Sequence, residues 1–177
     1  MNASQEEYVV LVDERDRETG RMEKLAAHRD GGHLHRAFSI LLFDVDGRWL
    51  LQRRAAGKYH FPGLWTNTCC SHPRPGESVA DAAVRRLREE LGITVPLAKR
   101  FSFVYCAESP AEGLTEWEYD HVLTGLLPTG FPLAPNPDEV SEVRFWTPRE
   151  IESALSSGIF TPWFLHIWAR MNKESPR

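Results

Sequence analysis

Residues Ser78 to Gly92 admit one local structure, and the rest of the chain must be arranged around it. Ser78 stands where a helix N-cap belongs, and Asp81 three residues on can answer it in a capping box. Gly92 fits the left-handed position past the helix end. Val79, Ala83, Leu87 and Leu91 step by four along one face, so that face needs a partner layer. Arg86 and Glu90, also four apart, share a neighbouring face. Just upstream runs FPGLWTNTCCSHP, Phe61 to Pro73, which places the Cys70 thiol two residues from the His72 imidazole. Two of the chain's 3 cysteines lie in this stretch. Cys69 reads as a small buried hydrophobe, the usual fate of a free cysteine; Cys70 reads as a reactive group.

Strand-forming runs flank the helix. Tyr8 to Asp13 is a β-rich run. Glu14 to Arg21 is polar, has Gly20 near its end and reads as a turn. Glu23 to His28 suits a single helical turn, and Gly31-Gly32 lets the backbone bend. His35 to Asp44 is a strand, Val45-Asp46-Gly47 a turn, and Arg48 to Arg53 its hairpin partner. Ala55 to Leu64 holds Gly57, Pro62 and Gly63 and reads as a loop. Arg100 to Ala107 and Glu116 to Leu127 are strands. On the second, Glu116, Glu118 and Asp120 share one face, and Trp117, Tyr119 and His121 the other. Glu142 to Trp146 is a short strand. Thr147, Pro148 and Glu150 then start a helix running to about Gly158, and Thr161-Pro162 opens a last one. This order predicts an α+β layered domain with a mixed sheet between helices.

A length of 177 residues suits one domain, 1–177. A net charge of −4 carries no nucleic-acid or anionic-membrane footprint. The odd, adjacent cysteines point to a reducing compartment, hence the cytoplasm. The start, MNASQEEYVV, lacks a signal peptide's basic and apolar regions. No apolar run approaches the roughly 18 residues of a membrane span.

Three clusters could carry chemistry. His28, His35 and His72 with Glu116 and Glu118 offer nitrogen and oxygen donors for a five- or six-coordinate ion. The mix is too oxygen-rich for a structural zinc site and suits Mn²⁺ or Mg²⁺, with Zn²⁺ admissible. No short-range ligand motif marks the set, so scattered solvated side chains account for it as well. Arg53, Arg54, Lys58 and Lys24 could converge on phosphate oxygens, or be ordinary surface charge. Glu77, Glu89 and Glu90 could hold Mg²⁺ on a diphosphate, or form helix ion pairs worth about 0.2–0.5 kcal/mol each.

Ser71, Glu77, Arg85, Arg86, Leu87, Glu89, Glu90, Gly92 and Ile93 resemble the Nudix box in order and spacing. Ser71 stands in place of its first glycine, and Arg86 in place of the acid that follows the arginine in the hydrolases. These departures resemble the type 1 isopentenyl-diphosphate isomerases. So do EKLAAH at Glu23–His28, LHRAFS at Leu34–Ser39, RRA at Arg53–Ala55, PGLWTN at Pro62–Asn67, CSHP at Cys70–Pro73, EWE at Glu116–Glu118, DEV at Asp138–Val140 and TPW at Thr161–Trp163. The likeness runs from about Tyr8 to Met171.

The resemblance implies an α/β/α layered Nudix fold around a mixed central sheet. It implies a 1,3-allylic proton rearrangement of isopentenyl to dimethylallyl diphosphate, in isoprenoid precursor biosynthesis. Cys70 would work on one face of the substrate and Glu118, with Tyr105, on the other, across a cavity just large enough for a five-carbon chain. His28, His35, His72, Glu116 and Glu118 would bind Mn²⁺ (or Zn²⁺ or Mg²⁺). Glu90 and the Cys70 carbonyl would take the Mg²⁺ that arrives with the diphosphate. Lys24, Arg54, Lys58 and Arg86 would bind the diphosphate, and Trp163 would shield a cation or serve as a core anchor. The expected partner is a small isoprenoid diphosphate, acted on by a monomer or weak homodimer with no nucleic acid or membrane involved. A Nudix hydrolase of nucleoside diphosphates and a non-catalytic binding module are the alternatives.

Overall fold

The computed structural model describes residues 7–128 and 130–174. In chain order the elements are β1 (Tyr8–Val12), β2 (Glu18–Glu23), α1 (Lys24–Ala27), β3 (His35–Phe43), β4 (Trp49–Arg54), β5 (Trp65–Thr66), β6 (Cys69–Ser71), α2 (Val79–Leu91), β7 (Ala98–Ser109), β8 (Leu114–Leu126), β9 (Val140–Trp146), α3 (Pro148–Ala154) and α4 (Pro162–Glu174). The strands make one mixed sheet.

Strand β3 is its axis. It runs parallel to β8 from His35↔Glu118 to Phe43↔Leu126. It runs antiparallel to β6, with Ser39 opposite Cys70, and meets β1 at Leu11↔His35. The sequence HRAFSILLF is apolar on both faces because helices cover both. Phe38, Ile40 and Leu42 pack with Leu87 and Leu91 of α2. Leu41 packs with Ile151 of α3 and with Phe164 and Ile167 of α4. Each such burial is worth about 1.5–3 kcal/mol, so α2 is held by its apolar face more than by its caps. The caps form, though not as a reciprocal box: Ser78 Oγ accepts from Asp81 N at 3.1 Å and donates to the Asp81 carboxylate at 2.7 Å, which leaves the Ser78 backbone N–H unanswered by Asp81, and Gly92 takes φ 70°. A Cβ on Gly92 would also lie 2.8 Å from the Ala134 Cβ, so the position excludes a side chain twice over.

Four expectations change. Glu14 to Arg21 is a turn only as far as Arg17; Glu18 onward is β2, paired with β1 from Val12↔Glu18 to Tyr8↔Glu23. An edge strand needs no apolar face, so ETGRME carries no alternation to read. The turn is closed by the Asp13 carboxylate, which accepts from the backbone N–H of Arg15 and Arg17 at 2.9 and 3.0 Å. Strand β4 touches β3 only at Leu42↔Leu50 and Phe43↔Trp49; its main partner is β9, from Trp49↔Trp146 to Arg54↔Val140. The α3 helix ends at Ala154, and a 3₁₀ turn, Leu155–Ser157, leads to Gly158. Short strands β5 and β6 interrupt the stretch before α2. Among the described residues, no helix is long and apolar enough to cross a membrane.

Candidate metal centre and catalytic cavity

Strand register builds the site. Tyr105 of β7 pairs with Glu118 of β8, and Glu118 pairs with His35 of β3, so three strands present one row. Glu116 lies two residues along β8 on the same face. His28 caps α1 and His72 follows β6. The five side chains His28, His35, His72, Glu116 and Glu118 each bring a donor atom within 4.8 Å of the others. His72 Nε2 lies 2.8 Å from Glu118 Oε1 and 3.1 Å from His35 Nε2. His28 Nε2 lies 3.4 Å from Glu116 Oε2.

Two backbone carbonyls fix which nitrogen faces the cluster. His28 Nδ1 donates to the Lys24 carbonyl at 2.6 Å, and His35 Nδ1 to the His33 carbonyl at 2.7 Å. A carbonyl can only accept, so each Nε2 keeps its lone pair for the centre, the usual arrangement behind a metal-bound imidazole. His72 is held neutral, its pKa pushed down to about 4 chiefly by burial. His28 Nε2 is buried without a hydrogen-bond partner, a cost of about 1–3 kcal/mol. A divalent cation supplies what that atom lacks, and the nitrogen–oxygen donor set suits one.

Beside the cluster lies a cavity of about 30 Å³ whose wall includes Cys70, Glu118, Tyr105, Trp163, Arg54 and Lys58. The Cys70 and Glu118 side chains therefore meet one space. Burial pushes the Cys70 thiol up to about 12, against the pull of Arg54, whose Nη1 is 3.9 Å from the sulfur. The thiol is protonated at neutral pH. Tyr105 donates its hydroxyl to Glu118 Oε2 at 2.5 Å. Burial and Glu116 push the Glu118 pKa up, but the neighbouring His35 and His72 outweigh them and hold it below the usual carboxylate range. Trp163 is both wall and anchor: its Nε1 donates to Asn67 Oδ1 at 3.1 Å, and the Arg54 guanidinium stands 5.4 Å from its ring centre.

Lys24 and Arg86 complete the cationic wall, and Lys24, Lys58 and Arg86 are each drawn onto a carboxylate of the chain, while Arg54 goes to the His60 carbonyl. Lys24 pairs with Glu7 at 2.7 Å, Lys58 with Glu139 at 2.5 Å, and Arg86 with Glu90 at 2.6 Å and Glu139 at 3.0 Å. One expectation is corrected: at about 30 Å³ the space is far smaller than a five-carbon chain needs. Other candidates lie elsewhere. Arg53 donates to the Gly63 carbonyl at 2.9 Å on the surface. Glu77 is engaged by Arg85 at 2.7 Å, and Glu89 is exposed. Glu90 is buried but sits behind Arg86, accepting from Gln52 Nε2 at 2.9 Å. Cys69 is fully buried among apolar residues.

The cavity also holds Tyr59 and His60, from the segment expected to be a plain loop. His60 Nε2 lies 2.5 Å from Glu116 Oε1. Their adjacency to Lys58 was the one sequence signal available.

Comparison with known proteins shows the family. The NUDIX domain model matches residues 33–164. An isopentenyl-diphosphate Delta-isomerase of Halorhodospira halophila is 47% identical over 172 residues, covering 96% of this chain and 95% of its own. The Nocardia farcinica enzyme of that name is 50% identical, covering 90% and 91%. The chain belongs to the isopentenyl-diphosphate Delta-isomerase family. A further member, isopentenyl-diphosphate Delta-isomerase 2 of Aromatoleum aromaticum, is 56% identical over 140 residues, 79% of this chain and 72% of its own. Among solved structures, DR0079 from Deinococcus radiodurans superposes with a TM-score of 0.76 at 22% identity, covering 93% of this chain and 98% of that one. That likeness shows the layered Nudix fold alone. Membership of the isomerase family gives the box's departure a setting: Arg86 is a half-buried cation on the cavity wall where the hydrolase pattern has an acid.

Proposed function

We propose that this chain isomerises isopentenyl diphosphate to dimethylallyl diphosphate, with Cys70 and Glu118 as the proton-transfer pair. The observation that carries the reading is that these two side chains line one cavity beside the His/Glu cluster, in a chain of this family.

Protonating an unactivated alkene needs an acid and a base already facing the substrate in a water-poor space. The buried Cys70 thiol keeps its proton at neutral pH and can deliver it to the terminal carbon of the double bond. The electron pair of that bond forms the new C–H bond and leaves a tertiary cation. The Glu118 carboxylate, ionised and hydrogen-bonded by Tyr105, takes the allylic proton, whose bonding pair becomes the new double bond. Exchange with water then takes the proton from Glu118 and restores one to the sulfur, which is how solvent deuterium enters the product. Trp163 offers a ring face toward the cation. Lys24, Arg54, Lys58 and Arg86 bind the diphosphate, which displaces Glu7 and Glu139 from them and widens the cavity. Mn²⁺ (or Zn²⁺ or Mg²⁺) on His28, His35, His72, Glu116 and Glu118 would hold Glu118 in place and tune its acidity, while Glu90 and the Cys70 carbonyl would take the Mg²⁺ carried by the diphosphate. All these residues come from one chain, so one copy suffices. The free thiols of Cys69, Cys70 and Cys106 fit a reducing compartment such as the cytoplasm.

Incubation with isopentenyl diphosphate and Mg²⁺ in deuterated water tests the reaction. Dimethylallyl diphosphate carrying deuterium is the expected product. Unchanged substrate, or phosphate release from nucleotide substrates instead, overturns it.

A further inference from the structure

We infer that His60 is a positioning residue for the metal centre, holding the far oxygen of Glu116 so that the near one faces the ligand cluster. The inference rests on reading the five-residue cluster as a metal site. Glu116 has two oxygens with different neighbours: Oε2 faces His28 Nε2 at 3.4 Å, and Oε1 lies 2.5 Å from His60 Nε2. The His60 nitrogen is not among the five donors that fall within 4.8 Å of one another. His60 therefore stands behind a ligand, outside the ligand set.

Its place is fixed from both ends. Arg54 donates through Nε and Nη2 to the His60 carbonyl, at 3.3 and 3.0 Å. The ring packs at centroid distances of 4.2 Å from Tyr59, 5.9 Å from Phe61 and 6.0 Å from Trp163. His60 is buried, so water does not compete for the Glu116 oxygen. Arg54 Nη2 also lies 3.3 Å from the same His60 nitrogen, but the shorter contact, 2.5 Å to Glu116 Oε1, requires a donor, so Nε2 carries the ring proton. Outer partners of this kind set ligand orientation, and losing one costs about 10–100-fold in metal affinity. Through its backbone the same residue steadies Arg54, a cavity cation, so the loop ties the anion-binding wall to the metal wall.

The test is a Mn²⁺ titration of chelator-stripped protein, following the free-ion signal by electron paramagnetic resonance. His60→Ala is expected to bind Mn²⁺ about 10–100-fold more weakly than wild type. His60→Gln, whose amide N–H reaches for the same oxygen, is expected to recover most of that loss. His60→Asn, polar but too short, is expected to behave like the alanine variant and stands in for it should alanine prevent folding. Equal affinity for His60→Ala and wild type overturns the inference. So does a glutamine variant as weak as alanine, which would show a packing effect. The five-ligand reading fails separately, if wild type shows no tight site or His35→Ala binds as wild type does.

Discussion

Replacing Arg86 with Met separates what its charge does from what its stem fills. Methionine keeps the aliphatic bulk but removes the partner of a nearly buried carboxylate: the Glu90 side chain is 4% exposed and Arg86 Nη2 sits 2.6 Å from it. Breaking a buried pair from one side costs about 3–5 kcal/mol, because a charge is left unpaired. Two contacts soften the loss. Gln52 Nε2 still donates to Glu90 at 2.9 Å, and Lys58 still holds Glu139 at 2.5 Å. The expected loss is therefore near the lower end, about 3 kcal/mol, or about 6–12 °C in Tm for a chain of this size. Urea unfolding of metal-free protein measures it. Adding Glu90→Gln removes the stranded charge and should bring the double variant back to within about 1 kcal/mol of wild type. If Arg86 grips the diphosphate as proposed, losing that charged contact, about 1.5–3 kcal/mol, should raise KM roughly 10–150-fold in steady-state assays. A single variant within about 1 kcal/mol of wild type, or a double variant no more stable than the single, refutes the reasoning.

Cys70→Ala and Glu118→Gln should each lower turnover by about 10²–10⁴-fold or more with circular dichroism unchanged; near-wild-type deuterium incorporation in either contradicts the assignment. Chelator treatment should lower the melting temperature, and Mn²⁺ at 100 times its Kd should restore about 2.7 kcal/mol, an effect absent in Glu116→Gln. In metal-free protein, His72 binds its proton at about 4 when folded and near 6.5 when unfolded. The unfolded chain therefore takes up the proton first as pH falls. The stability due to neutral His72 is full above pH 6.5 and lost on the way down to pH 4, on the order of 3 kcal/mol. Denaturant melts of His72→Asn should show a flatter slope in that window, and an unchanged slope contradicts it.

The parts legible in the sequence are those whose signal is local. The α2 helix announces its caps and its apolar face within fifteen-odd residues. The shared face of Glu116 and Glu118 follows from strand alternation alone. Strand β2 escaped because an edge strand, ETGRME, has no buried face to create alternation. The β4–β9 pairing escaped because the register of distant strands is set by tertiary packing, and adjacent strands joined by a tight turn look like a complete hairpin. At the site, the metal-type donors could be named by residue type, but their convergence depends on the parallel β3–β8 register that sets His35 beside Glu118. His60 is the sharpest case. It belongs to a loop with Gly and Pro on either side, and only the fold brings its ring to Glu116.

The electrostatics of the cavity follow from the same packing. The chain as a whole carries −4, yet Lys24, Arg54, Lys58 and Arg86 gather on one wall. Unpaired cations held half-buried are costly, so a stable free form needs counter-charge. Glu7 and Glu139 provide it from outside the helix that carries Arg86. Burial alone would raise the Glu139 pKa, but Lys58 and Arg86 hold it at about 2, so it stays an anion at any working pH. On the proposed reading, an entering diphosphate would exchange anion for anion on the same cations. The net gain in affinity is the difference between two sets of ion pairs, which is why removing an internal carboxylate can tighten anion binding while it loosens the fold.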